Sequence, residues 1–354
     1  ALSLEAGGTC ALVFAAEKEA RPPLPRTEAF ACAAALPTGD YDYTLDEENV
    51  CVLDFARWRL NGGDWHDAVE VLKAANSIRD AIGIERRGGE MLQPWYSKLH
   101  YTEEYGQLEL EYTFDVETLP EGPVVLAGER PERMQYSVNG VPLTPDGGFW
   151  VDICFKRMPI PAGVLKPGRN VVHVSTTFTR NTNVEAVYLL GGFGVRIDGH
   201  AAALTTLPRT LHFGSLKEQG LPFYTGCLTY RLPGSLWANA ARALEHDPRA
   251  TAWLQPGVFH GALVRVSTPS GVTRLGWDPI EADITDAVRT GSDVELTLVG
   301  TRRNTFGPLH LVPAIDTAYG PGHFVTEGDS WDDDYVLIPS GVEGAALQLK
   351  QPEE

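Results

Sequence analysis

The chain has 354 residues, 43% of them hydrophobic and 21% charged, enough for two or three domains with buried cores, and no apolar run reaches the roughly 18 residues of a membrane helix. A formal charge of -18 argues against nucleic acid and membrane surfaces as partners, because both are bound through Lys and Arg that neutralise phosphate. The 5 cysteines have no C-x-x-C spacing; they predict neither a zinc site nor a disulfide framework and fit a reducing, cytoplasmic setting.

The 36 Gly and 25 Pro are spread along the chain, which suits many turns between short strands and favours an all-β architecture. The opening "ALSLEAGGTCALVFAAEKEA" lacks a basic segment ahead of an apolar core, so it does not read as a secretory signal. It predicts a strand, a Gly-Gly turn and a second strand, as if the sequence began inside a hairpin of something longer. In "ENVCVLDFARWRLNGGDW", Val50, Val52, Asp54 and Ala56 share one face while Cys51, Leu53 and Phe55 share the other, the pattern of a strand covered on both sides. Residues 1–60 are therefore expected to be the end of an upstream β domain. From Asp64 the period changes: Asp64 can act as N-cap, Val71, Ala75, Ile78 and Ile82 follow at helical spacing, and Gly83 supplies a stop. This predicts a helix over residues 65–82, within a helix-and-linker segment of residues 61–104.

The β pattern then returns. "LELEYTFDVE" alternates from Leu108, and "MQYSVNGVPL" carries the hairpin signal Asn139-Gly140. With "FWVDICF", "NVVHVSTTF" and "VEAVYLLGGFGVRI" these make a first sandwich of residues 105–205. A second, residues 206–354, has the strands "GCLTYRL", "ALVRVST", "GVTRLGW", "DVELTLVG" and "HLVPAI", interrupted by a helical stretch, "SLWANAARALEHD".

The two halves share a repeat. "TRNTNVEAVYLL" and "TRRNTFGPLHLV" both carry Arg-Asn-Thr, and the offset that aligns Arg180 with Arg303 also aligns Gly168 with Gly291 and Val171 with Val294. A gap-free match at the spacing of a small domain predicts a duplicated folding unit.

Glycoside cleavage needs two carboxyls about 5 to 10 Å apart. Glu103-Glu104, Asp329 and Asp332-Asp333-Asp334 are the densest acidic groups, and a solvated surface accounts for them; the last run beside Trp331 could contribute oxygens to a structural Ca²⁺, although the spacing of a calcium loop is absent. No G-x-S-x-G or H-E-x-x-H occurs among the 9 His. His310 follows Gly307-Pro308 in a loop, where binding residues concentrate. Sugars stack an apolar face on Trp or Tyr and need planar polar partners. The candidate carbohydrate residues are Trp277, Trp331, Trp150, Tyr224, Arg303, Asn304 and His310, with core packing as the competing role for Trp150 and Trp277. Trp95 and Tyr96, in an aperiodic stretch, are expected to pack the helix onto the first sandwich or to face another domain.

The phrases "ENVCVLDFARWRLNGGDW", "VNGVPL", "LKPGRNVVHV", "VEAVYLLGGFGV", "GLPFYTGCLTYRL" and "GTRRNTFGPLHL" together resemble the region after the catalytic barrel in large bacterial glycoside hydrolases, the multidomain α-L-rhamnosidase-like proteins. They are also similar to the sugar-binding jelly rolls of the β-galactosidase and β-glucuronidase clan. The resemblance implies tandem galactose-binding-like jelly-roll β-sandwiches joined by a short helical connector. It implies a non-catalytic accessory role, with carbohydrate and an upstream catalytic domain of the same polypeptide as partners and no cofactor. In those families the catalytic carboxylates sit on a (β/α) barrel, whose alternating pattern is absent here. A self-contained hydrolase using loop carboxylates and a purely structural spacer stand as alternatives.

Overall fold

The computed structural model describes residues 27–86, 94–315 and 317–352, so the hairpin expected at the start of the chain lies outside the described residues. In chain order the first strands are β1 (Thr27–Ala35), β2 (Tyr43–Leu45), β3 (Asn49–Leu53), β4 (Phe55–Leu60) and β5 (His66–Glu70), followed by helices α1 (Val71–Ala81) and α2 (Pro94–His100). Then come β6 (Glu104–Val116), β7 (Val124–Glu129), β8 (Gln135–Val138), β9 (Val141–Pro142), β10 (Phe149–Trp150), β11 (Asp152–Pro159), β12 (Gly168–Thr179), β13 (Val187–Gly191), β14 (Gly194–Asp198) and β15 (Ala201–Thr205). The remainder holds β16 (Gly214–Ser215), β17 (Cys227–Leu232), α3 (Ala238–His246), β18 (Thr251–Pro256), β19 (Phe259–His260), β20 (Leu263–Thr268), β21 (Gly271–Leu275) and β22 (Ala282–Asp283). It ends with α4 (Thr285–Thr290), β23 (Val294–Val299), α5 (Arg303–Phe306), β24 (Gly341–Val342) and β25 (Ala345–Pro352). The all-β class is as the composition indicates.

Two sandwiches share one plan. In the first, a sheet ordered β10-β11-β7-β13-β3 packs on one in which β4, β6, β12, β8 and β9 are successive neighbours, extended by β5, β14 and β15. In the second, β22-β18-β25-β1 packs on β2-β17-β23-β20-β21, and the short sheet β16-β24-β19 adjoins them. Exchanging β3 for β1, β4 for β2, β6 for β17, β7 for β18, β8 for β20, β9 for β21, β11 for β22, β12 for β23 and β13 for β25 turns one strand order into the other, with β10 an addition in the first. The duplicated unit predicted from the Arg-Asn-Thr repeat therefore exists as topology. Gly168 and Gly291 sit at matching turns with φ of 81° and 64°, a conformation that glycine adopts without the steric cost other residues meet.

The sandwiches are nested rather than tandem. β1 pairs with β25 and β2 with β17, in the second unit, whereas β3 pairs with β13 and β4 with β6, in the first. Residues 49–205 are thus an insertion within the second sandwich. The expected grouping of residues 1–60 as the end of a separate domain differs from this pairing: the described part of that segment is shared between both sandwiches. Composition could not show it, because strand partners hundreds of residues apart leave no local mark.

Alternation builds the first core. Along β6, Leu108, Leu110, Tyr112, Phe114 and Val116 are buried, while Glu109 and Glu111 face out and meet Arg59 and Arg57 of β4 across the strands. Such cross-strand pairs add a little stability and fix register. The helix expected from residue 65 begins at Val71, and Glu70, rather than Asp64, caps it by accepting from Leu72 and Lys73 N–H. His66–Glu70 is instead drawn into β5 by pairing with β4, a case of tertiary pairing overriding a local cap. No described helix is long and apolar enough to cross a membrane.

One feature of the second unit positions the site. After β23 the chain runs from residue 300 to 340 before returning to its own sandwich at β24, and this excursion lies against the first sandwich. Leu309 and Tyr335 enter that core, and Phe306 packs at 5.4 to 5.6 Å from the rings of Trp150, Phe155 and Tyr188.

Candidate functional site: a buried polar clasp between the sandwiches

Asp54 sits where β3 passes into β4, in a run that is otherwise almost wholly apolar. A carboxylate there must find partners, since an unpaired buried charge is prohibitively costly. It finds two from the long loop. His310 Nε2 lies 3.1 Å from Asp54 Oδ2, and the Tyr335 hydroxyl donates to Asp54 Oδ1 at 2.7 Å. Asp54 and His310 are each 4% exposed. The other imidazole nitrogen, Nδ1, is 3.0 and 3.1 Å from the carbonyl oxygens of Asp332 and Asp334. Trp331 and Tyr335 stack on the imidazole, Phe55 meets it edge-on, and His200 in turn stacks on Phe55. Lys73 of α1 sits 4.0 Å from the Trp331 ring centroid and pairs with Asp333 at 2.8 Å.

Electrostatics bind the cluster together. Burial, reinforced by the nearby charge of Asp54, pushes the Glu70 carboxyl up to about 7 against the pull of its two backbone N–H bonds. Burial works against a charged imidazole at His310, but its hydrogen bond to Asp54 and the charges of Asp54 and Glu70 outweigh that, so the proton is held more tightly than by an ordinary histidine.

The residues singled out from sequence divide sharply. His310 is at the centre of the clasp, and Trp331 is its partly exposed lid. Arg303 and Asn304 are each 1% exposed: Arg303 Nε donates to Ile315 O, and the Asn304 amide both donates to and accepts from the Ile338 backbone. They hold the loop from within, which corrects their assignment to a sugar site. Tyr224 is also buried, its hydroxyl donating to Asp46 and to Cys227 O. Tyr224 and Asn304 border a space of about 20 Å³, room for a water rather than a sugar. Trp150 belongs to the first core at 4% exposure, next to Tyr188, so it offers a ligand no face. Trp277, after β21, is 62% exposed. Trp95, 65% exposed on α2, does not pack the helix onto the sandwich as one expectation had it.

Sequence reasoning missed Asp54, Glu70 and Tyr335 as partners. The signal was present for Asp54, a lone acid on a strand covered from both sides.

Two open grooves, of about 610 Å³ along β14 and residues 205–220 and about 460 Å³ around residues 119–124 and 160–165, are each lined by one carboxylate, Glu218 and Glu121. Among the described residues, no group of three or more His, Cys, Asp or Glu is placed to hold a metal.

No family model matches the chain, and no curated protein does. Among solved structures it is similar to an FMN-binding beta-glucuronidase from Facaelibacterium prausnitzii, at 13% identity and a TM-score of 0.26 over 72% of this chain and 34% of that one. It is also similar to a rhamnosidase from Novosphingobium sp., at 16% identity and a TM-score of 0.25 over 71% of this chain and 22% of that one. The chain thus spans a minor part of either protein, and likenesses this distant carry no argument about activity.

Proposed function

We propose that this chain is a non-catalytic accessory region of a glycan-acting hydrolase: a braced pair of sandwiches that supports a catalytic domain and touches carbohydrate through exposed indoles, Trp277 first and Trp331 second. The observation that carries the reading is where the acids lie. Asp54 and Glu70, the two acids drawn into the clasp, are buried and bonded to His310, Tyr335 and backbone. The two open grooves described above each have a single carboxylate, where cleavage requires two. By contrast, Trp277 presents most of its ring to solvent, as stacking on a pyranose requires. The sequence phrases that resemble glycoside hydrolase accessory regions point the same way.

Native gels containing a panel of polysaccharides test this. Retardation by at least one of them, weakened about tenfold in Trp277→Ala, is expected, with no release of phenol from aryl glycosides. Turnover that Glu70→Gln abolishes would establish a self-contained hydrolase instead. Mobility unaffected by every polysaccharide would leave a structural spacer.

A further inference from the structure

The clasp has a proton requirement that follows from its geometry. His310 Nδ1 faces two carbonyl oxygens, at 3.0 and 3.1 Å; carbonyls only accept, so this nitrogen carries hydrogen. Nε2 faces Asp54 Oδ2 at 3.1 Å, and the other Asp54 oxygen is taken by the Tyr335 hydroxyl. A hydrogen bond at this contact therefore needs hydrogen on Nε2 as well, which makes the closed ring an imidazolium facing a carboxylate. Remove that proton and a nitrogen lone pair confronts a carboxylate, two acceptors in a site closed to water.

We propose that the proton shared by His310 and Asp54 is a pH-sensitive clasp that holds residues 309–311 and 331–336 of the second sandwich's loop on the first sandwich and releases them when it is lost. The segment is poised for this. Its backbone closes on itself through Asp332 N to His310 O and Val336 N to Leu309 O, and reaches the first sandwich through Tyr335 N to Gly199 O, so it can open as one local unit.

The charged groups around His310 come from every element packed on it. Asp54 lies at the β3–β4 junction with the Cys51 thiol nearby; Glu70 and Lys73 come from the start of α1; His200 comes from the β14–β15 turn; Asp332, Asp333, Asp334 and Tyr335 belong to the loop. Tyr112 and Tyr188 lie within the field of Asp54 from the core side. Lys73 is matched by Asp333, which leaves Asp54, Glu70 and His310 as the buried set.

The sign is the same for both titrating groups. His310 has a raised pKa when closed; its contribution is complete below the ordinary histidine value and disappears as pH rises through the raised one. Glu70, at about 7, binds its proton more tightly closed than open, so closure is also weakened from the ordinary carboxyl range up to about 7. Alkalinisation opens the clasp.

Hydrogen exchange on the whole chain tests it, with amide rates for Asp332, Tyr335 and Val336 normalised to unstructured peptide at each pH. The opening equilibrium is expected to rise about tenfold per pH unit between the ordinary histidine value and the raised one, the slope of one released proton. Amides in the centre of β12 should hold their protection across the same range. His310→Gln should lose the slope above about pH 7 while retaining the part due to Glu70, and Glu70→Gln should do the reverse. If His310→Gln does not fold, the ¹⁵N signals of the wild-type imidazole decide: a change coincident with loop opening supports the clasp. Ring signals that stay constant from about pH 5 to about pH 9, or normalised exchange that is flat with pH, overturn it.

Discussion

After β12 the chain reaches the facing sheet of its own sandwich within a few residues, whereas after the equivalent strand β23 it leaves its sandwich for some forty residues and covers the neighbouring one. Both departures are marked by Arg-Asn-Thr; in both the Arg covers an aromatic ring and the Asn holds a backbone segment, while the Thr serves its own turn in one copy and a distant backbone carbonyl in the other. Arg180 lies 5.3 Å over the Tyr101 ring and Arg303 5.3 Å over the Tyr319 ring. Asn181 donates to the carbonyls of Ser97 and Tyr101 at the end of α2, and Asn304 brackets Ile338. Thr182 accepts from Thr179 N–H, and Thr305 donates to Phe223 O. Duplication has kept an anchoring device and changed what is anchored: a short helix on the surface in one copy, a loop that completes another domain's core in the other. The difference in burial follows, since Arg303, Asn304 and Thr305 are covered by the excursion they hold.

The sharpest break between the copies comes one residue later, where Asn183 in the first corresponds to Phe306 in the second. Phe306→Ala removes a ring from the Trp150, Phe155 and Tyr188 cluster and should cost about 3 kcal/mol, read as a lower urea midpoint at unchanged slope. A cost below about 1 kcal/mol would mean that the loop merely rests on the first sandwich. The anchors themselves come next. Asn304→Ala leaves both backbone groups of Ile338 without their partner and should cost about 2 kcal/mol, against about 1 kcal/mol for Asn181→Ala at its half-buried site. Equal costs would deny that burial distinguishes the two copies.

What the sequence made legible was periodic or repeated. Leu108 to Val116 alternate because one face of β6 meets the core, and the Arg-Asn-Thr match survives because both copies still bear the same mechanical demand. What it hid was long-range. Nothing near Thr27 says that β1 will lie beside β25, and Asp64 looks like a helix cap until β4 claims the residues after it. The site followed the same division. His310 was noticed for its place in a loop, but Asp54, Glu70 and Tyr335 become its partners only once the excursion folds across the first sandwich. Arg303 and Asn304 looked like polar contacts for a ligand because sequence cannot tell a loop facing water from one facing another domain.

The smallest expected effect is the cleanest test of equivalence between the copies. Gly168 and Gly291 have positive φ, and a methyl group added to either would meet no atom within 4 Å. Gly→Ala at each position therefore reports on backbone conformation alone. The left-handed conformation penalises a Cβ by about 1 to 2 kcal/mol, and alanine recovers part of this by restricting the unfolded chain. Gly168→Ala and Gly291→Ala should each lose about 1 kcal/mol, with the double variant losing the sum because the turns belong to different sandwiches. Should one substitution prove neutral, the two turns differ in backbone despite their aligned sequence, and the repeat would then preserve strand order without preserving the turn that feeds the strand.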